Sequence, residues 1–341
     1  MNTLLPAFDF QQVFIEPWTA NAASSVWIVA MGFFVATACG LVGNYLILRR
    51  MVLVGDAISH SVLAGIAVAF LLSRSRSSGA MFVGALVAGV ITTLLIEAIH
   101  KRTRVKQDSA IGITFTTLFA FGVVLISLYG GKVDLDQECV LYGEISNVPV
   151  MAAPLPAALS RVAAQVPVLK DAAIFWRGAD LVAPPDVLRM AGVTLLVALL
   201  IGVFYKELLA SSFDPGLAFS LGINATVMHH ALMAALSVVV VSAFEAVGAI
   251  LVIAMLILPG ATSQLLSQRL PVILGLTVLH AALSAVLGLH LGTWLNCSIA
   301  GAMVVAGGGL FGLAWMFNTR DGIICRWARR SQQRSEAVPP A

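Results

Sequence analysis

Charge is what this chain has least of. Asp, Glu, Lys and Arg make up 11% of the residues, against about a quarter in a soluble domain. A water-soluble globule is therefore excluded, and the net charge of +3 offers no case for nucleic-acid binding. The four cysteines, Cys39, Cys139, Cys297 and Cys325, contain no CxxC pair and no zinc-ribbon spacing, which removes a dithiol redox centre or a thiolate zinc site. Cys39 and Cys297 fall in apolar segments and are expected to be small packing residues. Gly130-Gly131-Lys132-Val133 has neither the spacing nor the Ser/Thr of a phosphate loop, so any ATP-driven motor must lie on another chain. Neither HExxH nor GxSxG occurs, and no second acid pairs with Asp56 for intramembrane hydrolysis. Ten-residue alternating patterns are also missing, which argues against a β-barrel. Met1 to Ala23 carries Asp9, Glu16 and two prolines but no basic start, so a cleaved signal is not expected there.

What is abundant is apolar sequence, 59% of the chain. Runs of about 20 apolar residues recur, each long enough as a helix to cross a hydrocarbon core of about 30 Å. The expected fold is all-α, a polytopic membrane protein of about nine transmembrane helices. An N-terminal outer segment, 1–25, precedes four spans within 26–129: Val26–Leu48, Val52–Leu72, Ala80–Ile99 and Ala110–Tyr129. A polar, proline-containing outer insertion follows at 130–187, with a short helix expected around Ala157–Gln165. Five spans then occupy 188–317: Leu188–Phe204, Thr226–Phe244, Val247–Leu266, Val272–Leu289 and Leu295–Phe317. A basic tail, 318–341, closes the chain. Lys and Arg collect at Arg49-Arg50, Lys101–Lys106, Lys206, Arg269 and the tail, which sets the N-terminus outside and the C-terminus inside. Arg74 and Arg76 fall on the outer side, against that trend.

Between the fifth and sixth spans, Ser211–Ile223 holds a helix start: Asp214 can cap free backbone donors and Pro215 suits the first helical position. Gly222 supplies a stop. About two turns are expected, too short to span, with Phe213, Leu217 and Leu221 recurring at helical spacing and in need of a partner.

Ionisable residues inside spans cost about 2.5–3.5 kcal/mol on insertion scales and are functional suspects by default. Asp56 and His60 lie four apart, hence on one face of a helix, where a carboxylate and an imidazole can converge on one cation. That donor pair suits Mn²⁺, Fe²⁺ or Zn²⁺. Two ligands do not complete a site, whereas a two-fold dimer would supply four. The competing reading makes Asp56 a cap paired with Arg49 or Arg50 and gives His60 a bond to a neighbouring helix. His229 and His230 point about 100° apart and are expected to pack or cap; His280 and His290 are likewise expected in packing or interfacial roles. Glu245, at the outer junction of the sixth and seventh spans, is either a turn carboxylate or a possible outer gate. Pro259-Gly260-Ala261 is expected to interrupt the seventh span, and Gly307–Gly309 to permit close helix packing.

The stretches LILRRMVLVGDAISHSVLAGIAVAFLL, DSAIGITFTTLFAFGVVLISL, SFDPGLAFSLGI and AFEAVGAILVIAMLILPGATSQLL resemble the permease family of metal-importing ABC transporters, those for zinc, manganese and iron. The resemblance covers nearly all of the chain except the N-terminal stretch, the insertion and the tail. It implies a type II ABC importer permease in a bacterial plasma (inner) membrane, a transport subunit rather than an enzyme. Asp56 and His60 would form the pore metal site. Phe213, Asp214, Pro215, Leu217 and Leu221 would belong to a coupling helix that seats on a cytoplasmic ATP-binding subunit. The implied partners also include an extracytoplasmic metal-binding protein and a second permease subunit, identical or homologous. The metal would pass through as cargo, with no permanently bound cofactor. An ion-gradient-driven transporter or channel without an ATPase is the alternative class, a membrane scaffold or receptor a third, and metal export within the same architecture a fourth.

Overall fold

The computed structural model describes residues 6–74, 78–129, 145–151, 153–154, 176–177 and 180–318. Its first four helices are α1 (Ala22–Leu48), α2 (Leu53–Ser73), α3 (Ser78–Arg102) and α4 (Gln107–Tyr129). The second half contains α5 (Pro185–Val203), α6 (Tyr205–Phe213), α7 (Pro215–Ser220), α8 (Ala225–Val247), α9 (Ala249–Leu266), α10 (Leu270–Leu295) and α11 (Ile299–Phe317). Eight of these are long and apolar enough to span a membrane, and the apolar run Leu251–Leu266 within α9 is a shorter ninth. The expectation of about nine therefore stands. The helix expected around Ala157–Gln165 and the basic tail lie outside the described residues. Described parts of the insertion form three short antiparallel strands, β1 (Ala153–Pro154), β2 (Trp176–Arg177) and β3 (Asp180–Ala183), with β3 in the middle.

Apolar on all sides, α1 belongs in the centre of the bundle, and every residue from Val35 to Leu46 is buried. It packs against α5, α9 and α10, while α2, α3 and α4 form a neighbouring layer. Hydroxyls inside the bundle bond mostly to their own helix: Thr114 to the Ala110 carbonyl at 2.8 Å, Thr194 to Met190 at 2.8 Å. A polar seam joins three helices, with Asn44 Nδ2 donating to Thr277 Oγ1 at 2.9 Å and Thr277 Oγ1 lying 3.1 Å from Ser263 Oγ.

Several expected boundaries move. Pro259 lies inside α9 without interrupting it; the Ser263 hydroxyl takes up the Pro259 carbonyl at 2.7 Å. Helix α10 runs on to Leu295, where Asn296 adopts the left-handed conformation that ends it. Cys297 is therefore exposed in the turn that follows, whereas Cys39 is buried in α1 as expected. Of the three glycines from 307 to 309, only Gly307 has a close neighbour, His280 Nε2 at 3.3 Å from an added Cβ; Gly308 and Gly309 face open space.

The tight crossings use other glycines. A Cβ on Gly43 would lie 2.0 Å from the Leu256 carbonyl oxygen, and one on Gly65 would lie 2.3 Å from that of Gly84. Both neighbours are backbone atoms and cannot rotate away. Gly43→Ala is expected to destabilise the protein by about 1–3 kcal/mol through overpacking. Gly308→Ala, with nothing within 4 Å of the new Cβ, should be neutral or slightly stabilising. Thermal unfolding of the two purified variants in detergent checks this; equal midpoints would contradict the close approach.

Candidate metal site and inner cavity

Helix α2 buries most of its first half: Val54, Gly55, Ala57, Ile58 and Ser59 face inward. Asp56 and His60 occupy the remaining stripe, with side chains 31% and 28% exposed. Asp56 lies in the first turn of α2, and His60 one turn deeper, about 6 Å further along the axis. The His60 Nε2 and Asp56 Oδ1 atoms are 3.2 Å apart. From α4, Phe115 and Phe119 flank the imidazole, with ring centroids 5.7 and 6.0 Å away. These aromatics pack against the ring; the FTTLF spacing of four residues on α4 was the available signal for them.

The separation also has a chemical meaning. Two ligand atoms about 2.1 Å from one ion and 3.2 Å from each other subtend about 100° at that ion, between the octahedral and tetrahedral angles. The two groups form an i,i+4 hydrogen-bonded pair, and the same distance is compatible with two adjacent ligands. Among the described residues no third His, Cys, Asp or Glu joins them.

A second polar cluster lies at the same end of the bundle. Arg49, Glu97, Lys101, Ser211, Thr226 and His229 are among the residues lining a cavity of about 490 Å³. The helix ends that carry basic residues therefore meet, as the alternating topology requires. Glu97, on α3, accepts from Lys101 and lies 2.9 Å from His230 Nε2 and 4.0 Å from His229 Nε2, both on α8. His229 and His230 were expected only to pack or cap; they flank this carboxylate, which the sequence reading passed over. The signal was present, since Glu97 is an isolated acid near the end of an apolar span. Arg49, just beyond α1, donates through Nε to Ser212 Oγ and through a terminal nitrogen to Ser211 Oγ, both at 3.0 Å. Burial draws its guanidinium below the ordinary pKa, with the Tyr45 phenol opposing.

Elsewhere the outcomes are mixed. Asp214 Oδ1 accepts from the Gly216 and Leu217 backbone nitrogens at 2.9 and 3.0 Å, and Pro215 starts α7. Gly222 is left-handed at φ 77°. The cap and stop are as expected, but α7 is six residues long. Phe213 ends α6 and Leu221 caps α7, so the two and Leu217 do not share one helix; all three, and Phe219, are exposed. Glu245 lies in the last turn of α8, with its side chain outside the described part. His280 is buried in α10. His290 ties down the N-terminal segment: Trp18 Nε1 donates to its Nε2 at 3.3 Å and its Nδ1 lies 2.8 Å from the Val13 carbonyl.

Residues 23–155 and 174–318 match the model of the ABC 3 transport family. The chain belongs to that family. It is a multi-pass membrane permease subunit, not an enzyme. It is 41% identical over 310 residues to the manganese transport system membrane protein MntD of Bacillus subtilis (strain 168), covering 91% of this chain and 97% of the relative. Similarity to the zinc transport system membrane protein TroD of Treponema pallidum (strain Nichols) is 39% over 299 residues, covering 88% and 75%. Among solved structures, PsaBC from Streptococcus pneumoniae in complex with Fab superposes with a TM-score of 0.67 at 30% identity, over 90% of this chain and 94% of that one.

The Glu97 cluster generates its own test. Glu97→Gln is expected to destabilise the permease by about 1 kcal/mol, because charge-assisted bonds are partly screened where their partners reach solvent. A double-mutant cycle with His230→Ala should show coupling between the two. Strict additivity in unfolding measurements would mean that the contact contributes nothing.

Proposed function

We propose that this permease conducts a divalent transition-metal ion, manganese or zinc, through an ATP-driven importer. Asp56 and His60 contribute a half-site for the passing ion. The observation that carries this reading is their 3.2 Å separation on the partly exposed stripe of α2. A carboxylate and an imidazole held together inside a span are oxygen and nitrogen donors that a divalent transition-metal cation can take. Incompleteness within one chain fits a pore built by two permease subunits, each giving two ligands. The names of the relatives agree with a first-row metal as cargo.

Energy enters from a separate cytoplasmic ATP-binding subunit, and metal is delivered by a binding protein on the outer face. Exposed Phe213, Leu217, Phe219 and Leu221, at the basic end of the bundle, form the apolar surface that the ATP-binding subunit covers. In this reading α7 is the coupling helix, with Asp214 and Pro215 setting its start. Glu245, at the opposite end of α8, is assigned to an outer gate. Family membership favours this scheme over an ion-gradient-driven transporter or a scaffold.

Two experiments test it. Metal uptake by cells relying on this system should fall at least roughly tenfold in Asp56→Ala and in His60→Ala, the lower end of the loss seen even for groups that only support metal ligands, with normal assembly of the complex. Normal transport in both variants would sink the half-site. Leu217→Asp or Asp214→Lys should lower metal-stimulated ATP hydrolysis while the permease remains inserted, and unchanged stimulation would remove α7 from the coupling role.

A further inference from the structure

Helix α1 ends at Leu48 and α2 starts at Leu53, so the corner between them spans only Arg49–Val52. It is tightly made. Arg50 is left-handed at φ 58°, its nitrogen donates to the Ile47 carbonyl at 3.0 Å, and Met51 donates to Leu46 at 2.9 Å. The backbone of Arg49 is thereby held against the start of α2, in whose first turn Asp56 lies.

The Arg49 side chain leaves this corner for two other helices. Nε reaches Ser212 Oγ and a terminal nitrogen reaches Ser211 Oγ, each at 3.0 Å, both on α6; the other terminal nitrogen is 3.4 Å from His229 Nδ1 on α8. The serine hydroxyls turn their own protons back to the Leu208 carbonyl, at 3.3 Å from Ser211 and 2.6 Å from Ser212. Their lone pairs are thus free to accept from the guanidinium. Both serines belong to the last turn of α6, where a cation is favoured by the helix dipole. Helices α6 and α8 are also the elements against which α7 packs.

We propose that Arg49 is a positioning residue that couples α7 to α2, carrying displacement of the short helix through Ser211, Ser212 and His229 to the helix bearing Asp56 and His60. This rests on the reading of α7 as the coupling helix. The chemistry suits a contact that must re-form in every cycle. The two serine acceptors carry no charge, so parting from them leaves no unpaired anion behind, unlike the parting of an ion pair. The planar fork grips two hydroxyls at once, which gives the contact direction.

The test uses the whole transporter, with its ATP-binding subunits and metal-loaded binding protein, in proteoliposomes. In Arg49→Gln, basal ATP hydrolysis should persist while metal-stimulated hydrolysis and uptake fall about fivefold or more, the lower range of ordinary coupling between sites. Arg49→Lys should restore part of the stimulation. The Ser211→Ala/Ser212→Ala double variant keeps the charge, removes the acceptors and should reproduce the Arg49→Gln defect. Leu217→Asp is run beside them. If it leaves stimulation unchanged, the coupling-helix reading fails, and this inference with it. If it uncouples while Arg49→Gln and the serine variant stimulate normally, the reading stands and the role of Arg49 is overturned. A parallel loss of basal and stimulated activity in the serine variant, or failure of that variant to assemble, marks a merely structural contact and also overturns it.

Discussion

Hydrocarbon offers no hydrogen bonds, and nearly every feature of this molecule follows from that. Backbone groups in the membrane must be satisfied within the segment, so the spans are helices. Hydroxyls obey the same demand: Thr114, Thr194 and Ser263 each return their proton to a carbonyl four residues back. Where polar groups instead bridge helices, as in the seam from Asn44 through Thr277 to Ser263, they fix the relative register of α1, α9 and α10. Against this background the Asp56–His60 pair stands apart. It is ionisable, lies within a span, and keeps about a third of its side-chain surface exposed.

The spans were legible because hydropathy over about 20 residues is a strong, local signal. Spacing alone was enough to place Asp56 and His60 on one face of α2, since a helix makes that relation local as well. The same holds for the Asp214 cap and the Gly222 stop, each decided by residues within one turn. Harder to read were features whose partners lie far along the chain. Glu97 stands in an ordinary-looking segment, and only the packing of α3 against α8 brings His229 and His230 to it. Arg49 read as one half of a basic pair marking the inner surface; that it grips the end of α6 depends on a fold in which α1 is central.

Helix limits were missed for a related reason. Helix α10 continues past Leu289 to Leu295 because its last turns pack beneath the N-terminal segment, with His290 bonding to Val13 and Trp18. Helix α6 starts with Tyr205-Lys206-Glu207, which looks like the polar end of a span but is the first turn of an amphipathic helix that buries Leu208 and Ser211. Proline at 259 did not break α9; membrane helices tolerate proline where the freed backbone group finds another partner.

The glycine crossings bear on how such a bundle can move. Where the Gly43 backbone touches the Leu256 carbonyl, and Gly65 that of Gly84, no side chain lies between the helices to yield by changing rotamer. At such crossings the two backbones are in direct contact, and axial rotation that brings a larger side chain to the contact forces the helices apart. Helices α1 with α9, and α2 with α3, are therefore best regarded as two rigid struts. A change of shape that keeps these contacts moves each pair as one body, with the tight Arg49–Val52 corner joining the two.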